Sequence, residues 1–214
     1  MPQVIETLVY RLDELDESAR EHARDWYRTM PLDSDWYESL FEHFEDICNI
    51  LGVSLATQSV RLMGGGSREQ SKIYFSGFCS QGDGASFVGQ YRYARGAAQT
   101  IRAHAPNTSE LHAIADRLQD AQRRNFYQLG ASIEHAGCYY HEYSMRIDVR
   151  RDSQTGQDLS LADEELVIDA LRDLARWIYR TLETEFDFLM AGHQVDEAIR
   201  ANDFTFTERG RRFG

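Results

Sequence analysis

The chain has 214 residues, 42% of them hydrophobic and 12% aromatic, enough apolar surface to build a core and to exclude wholesale disorder. Its formal net charge of −12 opposes a phosphate backbone, so no direct nucleic-acid partner is expected. No apolar run approaches the roughly 18 residues of a membrane span, and MPQVIETLVY lacks the basic-then-apolar order of a secretory leader.

Three scattered cysteines, Cys48, Cys79 and Cys138, suit reduced thiols and a reducing cytosol rather than a disulfide framework. The acidity is segmental. Residues 1–46 carry 13 acids against 4 bases, and residues 160–203 carry 11 against 4, around a middle that is nearly neutral. Asp13, Glu14, Glu17, Glu21, Asp25, Glu38, Glu42 and Glu45 are the acidic-surface candidates, either for solubility or for meeting a basic partner.

In chain order, Val4–Tyr10 is β-branched enough for a strand. Asp16 then opens a helix with Leu15, Ala19, Ala23, Trp26 and Met30 at helical spacing, and Pro31 stops it. Asp33 or Ser34 is expected to cap a second helix, with Tyr37, Leu40, Phe41, Phe44, Ile47, Cys48 and Leu51 inward and Gly52 beyond its end. Gly64–Ser71 reads as a flexible loop. Strands are expected over Lys72–Phe78 and Ala85–Tyr93, joined by a Cys79–Gly84 connection. Helices over Gly96–His104 and from Thr108 follow, the latter with Leu111, Ile114, Leu118 and Ala121 inward. Strand character returns at Ala131–His135 and over Tyr139–Val149, whose alternation is the clearest in the chain. Ser160 and Asp163 have the form of a capping box. The helix they open steps through Val167, Leu171, Leu174, Ile178, Leu182, Phe186 and Leu189 and is broken at Gly192. A short helix near Val195–Ile199 and a Phe204–Phe206 strand complete the pattern.

Strands and helices in separate blocks predict an α+β fold with a mostly antiparallel sheet. One domain is expected over 1–214, divided into 1–52, 53–152 and 160–214. Val167, Trp177, Tyr179, Phe188 and Met190 widen the apolar face of the long helix, which must be covered by the sheet, by the first two helices or by a second copy, a homodimer being slightly favoured.

The Cys79–Gly84 connection is longer, more polar and richer in glycine than a hairpin needs. Gln81, Gly82, Asp83 and Gly84 are therefore binding candidates, with Tyr91, Tyr140 and Glu142 beside them. The competing expectation is a structural turn, with Gly82 and Gly84 at positive φ and a side chain–backbone bond from Asp83. His135-x-x-Cys138-x-x-His141 alternates faces on a strand and lacks a second ligand pair, so neither a metal nor another cofactor is expected. No residue spacing fixes a nucleophile with its base, or a pair of catalytic carboxylates.

The segments LDELDESAREHARDWYR, DWYESLFEHFEDICNILGV, IYFSGFCSQGDGASFVGQYRY, YYHEYSMRID and IRANDFTFTERGRRF span most of the chain. On them the chain resembles a family of small phage, prophage and plasmid proteins, some labelled antitoxin-like. The family carries an aromatic where Cys79 stands. The resemblance implies a mobile-element origin and a shared fold, and brings no catalytic residue with it. The leading expectation is a non-enzymatic protein that binds a host or element-encoded protein, for example as an inhibitor of a bacterial defence system. An antitoxin, and a small-molecule or nucleotide-processing enzyme built on Ser76, Gln81, Asp83, Tyr91, Tyr140 and Glu142, are the alternatives.

Overall fold

A computed structural model describes residues 6–32, 36–61, 64–153 and 156–214. The chain runs α1 (Glu17–Arg28), α2 (Glu38–Leu51), β1 (Val53–Leu55), β2 (Thr57–Arg61), β3 (Ser67–Ser71), β4 (Ile73–Phe75), β5 (Ala85–Phe87) and β6 (Gly89–Arg92). It continues with α3 (Ala97–His104), α4 (Ser109–Arg124), β7 (Leu129–His135), β8 (Met145–Arg151), α5 (Leu161–Leu189), α6 (Gly192–Ala201), β9 (Thr205–Phe206) and β10 (Arg212–Phe213). The fold is α+β, and every strand pair among the described residues is antiparallel. No helix among the described residues is long and apolar enough to cross a membrane.

The chain divides into two compact units, one of Met1–Trp36 with Glu183–Gly214 and one of Tyr37–Leu182. In the smaller, the Asp16 carboxylate accepts from the Ala19 N–H (2.8 Å), the cap that the sequence marks. Leu12, Leu15, Ala19 and Ala23 pack with Val195, Ile199 and Phe206, and Trp26 meets Phe204 and Phe206 edge-on. Among the described residues the expected N-terminal strand is reduced to a single bridge, Tyr10 to Phe206. Val4 and Ile5, and the expected cap at Asp33 or Ser34, lie outside the described residues.

The larger unit is built on a four-stranded sheet in the order β1-β6-β7-β8. Its register aligns Val53, Tyr91, Ala131 and Val149 on a buried face. The neighbouring row, Ser54, Gln90, Ser132 and Asp148, faces outward, as period-2 alternation requires. The inward faces of α2, α4 and α5 supply the rest of this core, including Phe44, Leu118 and Leu174. Val167 and Trp177, which had argued for a second copy, are buried by the chain's own elements.

Three expectations are corrected. The Ala85–Tyr93 strand is two strands, because at Val88 the chain changes partner: its N–H donates to Lys72 and its carbonyl accepts from Ala56. Ser67–Ser71 is a strand paired with β2, a polar ribbon without the apolar alternation that marks buried strands. Tyr139–Val149 becomes a strand only at Met145, which pairs with His135, so residues 136–144 must close that hairpin. Gly137, at φ +103°, and a turn donated from Ser144 N–H to His141 make the closure.

Candidate functional site

Two loops meet in the larger unit: Ser76–Gly84, which joins β4 to β5, and Ala136–Ser144, which joins β7 to β8. The first is clamped by Asp83. Its carboxylate accepts from the N–H groups of Ser80 (2.6 Å) and Cys79 (3.1 Å). These bonds, Ser80 first, together with one from Ser76, hold the Asp83 carboxyl below its ordinary value. Ser76 closes the loop across its neck, donating its N–H to the Gly84 carbonyl and accepting the Gly84 N–H on its hydroxyl. Gly82 sits at φ +112° with open space around it, whereas Gly84 does not have positive φ. What requires glycine at position 84 is packing, since a Cβ there would stand 3.1 Å from His141 and from the Tyr140 carbonyl.

The second loop is held just as closely. The Tyr140 ring stacks on Tyr74 (5.3 Å, 14°), and both rings contact His135. His135 Nδ1 lies 3.0 Å from the Ser86 hydroxyl and 3.3 Å from that of Ser144. Tyr143 stacks on His141 and lies under the guanidinium groups of Arg172 and Arg176, 5.1 and 5.8 Å from the ring centre. Glu142 is buried, with its carboxylate 2.8 Å from Arg176 Nε and 2.9 Å from His141 Nδ1. From α5 Tyr179 donates to the Gly77 carbonyl (3.0 Å) and stacks on Phe78.

The structure thus brings together Ser76, Asp83, Gly84, Tyr140 and Glu142, with Gln81 and Gly82 exposed at the first loop's tip. It moves Tyr91 out of the group. That ring is in the core, its hydroxyl accepts from Gln122 (3.2 Å), and burial pushes its pKa up to about 12. Arg172, Arg176 and Tyr179 are site residues that the sequence reading missed. The two arginines are ordinary positions on a long helix, and Tyr179 reads there only as part of its widened apolar face.

The group is poorly arranged for catalysis. Ser86 forms a serine–histidine pair with His135 but is fully buried, out of a substrate's reach. Ser144 is engaged in capping His141. Cys79 and Cys138 are exposed, while Cys48 is a core residue whose thiol burial raises to about 12. Among the described residues no three His, Cys, Asp or Glu side chains cluster as a metal site.

The acidic candidates are substantially engaged within the protein. Asp13 pairs with Arg200, Glu17 with Arg20 and Arg24, Glu21 with Arg24 and Arg28, and Asp25 with Arg28. Glu14 accepts from the Arg11 N–H. In the larger unit Glu38 pairs with Arg68 and Glu45 accepts from Ser71, while Glu42 is exposed.

A family model matches residues 36–192, which include both loops. The chain belongs to that family, described as "Domain of unknown function (DUF8835)". No curated protein and no solved structure matches the chain. The family assignment therefore adds no residue role to the geometry.

Proposed function

We propose that the protein is a non-catalytic binding protein that engages a partner protein through the paired loops Ser76–Gly84 and Ala136–Ser144. The observation that carries this reading is a row of three tyrosines at the surface, two of them, Tyr140 and Tyr143, fixed by their neighbours. Tyr139 and Tyr143 are 73% and 65% exposed, Tyr140 is half-buried against Tyr74, and Tyr143 is braced by His141 and two arginines. A folded protein gains little stability from holding large rings in water. A binding surface gains contact area at small entropic cost, because a tyrosine has only two side-chain torsions to fix. The loops otherwise consist largely of Ser, Gly, Gln and Cys, small or adaptable groups suited to surround such anchors.

The mobile-element resemblance makes a host or element-encoded protein the natural partner, met in the bacterial cytoplasm. Inhibition of a defence complex is the narrower form of the reading. The internal pairing of the α1 carboxylates favours the loops over the acidic helix as the contact surface.

Tagged protein is to be used to recover partners from host lysate at low and at physiological salt. The partner should be retained by Glu17→Gln and Glu42→Gln, and lost by Tyr139→Ala and Tyr143→Ala in variants that melt like the parent. Equal recovery by the tyrosine variants, or no stoichiometric partner at either salt, removes the reading.

A further inference from the structure

The outward face of the sheet carries a second feature, separate from the loops. The register places Arg92, Gly130 and Arg150 side by side on β6, β7 and β8. Strands lie about 4.8 Å apart, so the two arginine Cα atoms are separated by roughly 10 Å with no side chain between them. A Cβ on Gly130 would stand 3.3 Å from the Tyr91 carbonyl, a tight contact that favours glycine at the centre of the strip.

This strip is the floor of an open trough of about 820 Å³, within the range of small-ligand sites. Gln90 and Ser132 add hydrogen-bonding groups to the floor, and Tyr93 and Tyr127, with ring centres 4.6 Å apart, stand at one end. Beside them Phe126 is 70% exposed beneath the Arg151 guanidinium. Phe126 and Tyr127 have φ of +54° and +61°, a conformation that L residues seldom adopt twice in succession. Gln122 holds that turn, accepting the Tyr127 N–H on its carbonyl and bonding both N–H and carbonyl of Leu129 through its side chain.

Charge separates this face from the rest of the chain. Three arginines line the trough against one carboxylate, Asp152, although the chain as a whole carries −12. Arg150 is paired with Asp148. Arg151 bonds to the amide oxygens of Gln128 and Gln157. Among the described residues Arg92 meets no carboxylate. Guanidinium forks spaced across a bare strip suit a phosphate, and exposed Tyr127 with half-buried Tyr93 at the end of the same trough suits a flat base.

We propose that this face binds a nucleoside phosphate, with the phosphate over Gly130 between Arg92 and Arg150 and the base against Tyr127 and Tyr93. The ligand is a free nucleotide or the end of a single strand. The chain's overall negative charge opposes the long-range approach of an extended polyanion, which favours the compact ligand.

The full-length protein is to be titrated with adenosine and guanosine triphosphates, with a short oligothymidylate and with inorganic phosphate, followed by calorimetry. Saturable binding of a nucleotide or the oligonucleotide is expected, tighter than that of inorganic phosphate. Arg92→Ala and Tyr127→Ala should each weaken it by about tenfold, the scale of one charge-assisted bond or one stacked base. Tyr139→Ala, on the paired loops, should leave it unchanged. A preference for the triphosphates identifies a free nucleotide as the source, and a preference for the oligonucleotide a strand; either supports the site. Failure of all the nucleotide probes to bind at millimolar concentration overturns it. Affinity that is unaltered in both Arg92→Ala and Tyr127→Ala, with both variants melting like the parent, overturns it equally.

Discussion

Arg24 and Arg28 of α1 and Arg92 of the open sheet face have the same chemistry and opposite circumstances, with Arg150, paired to Asp148, between the two cases. In the smaller unit Arg24 bonds to both oxygens of Asp196, with Glu17 and Glu21 also on its guanidinium, and Arg28 bridges Glu21 and Asp25. On the sheet of the larger unit Arg92 meets no carboxylate among the described residues, and Arg151 is satisfied by amides. Charge satisfied inside a unit supports that unit's stability, whereas charge left facing solvent remains open to a ligand. The summed charge of a segment therefore says little about its surface: the acidic α1 is largely paired within its own unit, and the near-neutral middle displays Arg92 with no carboxylate on it among the described residues.

The largest expected effect strikes the backbone beneath Arg92. Gly52 ends α2 at φ +84°, and a Cβ there would come within 2.1 Å of the Arg92 carbonyl. Gly52→Ala should lower the unfolding free energy by about 2 kcal/mol or more, read by urea denaturation, because strain and collision act together. A variant as stable as the parent would show that the sheet can shift, and the fixed geometry of the arginine face would lose its basis.

Asp196→Ala should come next, at about 2 kcal/mol. It leaves Arg24, only 16% exposed, without its best partner. The two remaining glutamates on Arg24 keep the loss below that of a fully buried pair. A neutral result would mean that the α1 pairs are as dispensable as ordinary surface pairs.

A smaller effect is expected from pH. His43 lies stacked near His104 (5.9 Å) and against Trp177 in the larger unit. Burial first, and the neighbouring His104 second, hold its pKa below the ordinary histidine value, while Asp46 opposes the shift. The unfolded chain takes up the proton at the ordinary value and the folded chain only at lower pH. Stability is therefore lost as pH falls through about 6.5. Melting temperatures measured between about pH 7.5 and 5.5 should fall, and His43→Gln should flatten that slope.

Arg92→Ala should have the smallest effect, within about 0.5 kcal/mol of the parent. Clear destabilisation would give Arg92 a structural task and erase its contrast with Arg24.

Sequence by itself determined the elements whose signals are local. The Asp16 cap, the left-handed Gly52, the inward Leu111, Ile114, Leu118 and Ala121 of α4, and the alternation of Met145–Val149 are all read within a few residues of chain. A helix repeats its period inside itself, and a cap satisfies N–H groups one turn away. The loop pair was legible in part: Cys79–Gly84 stood out as an unusual connection and Asp83 does clamp it, but Ser76–Phe78, expected to continue the strand, belong to the loop because β4 ends at Phe75. Tertiary structure alone decided the rest. The switch of partners at Val88 depends on Lys72 and Ala56, the bracing of Tyr143 on Arg172 and Arg176 far along the chain, and the removal of Tyr91 from the site on Gln122. The same holds for the arginine strip, which exists only because three strands align Arg92, Gly130 and Arg150. These are contacts between residues distant in sequence, and periodicity within one segment carries no information about which distant segment completes it.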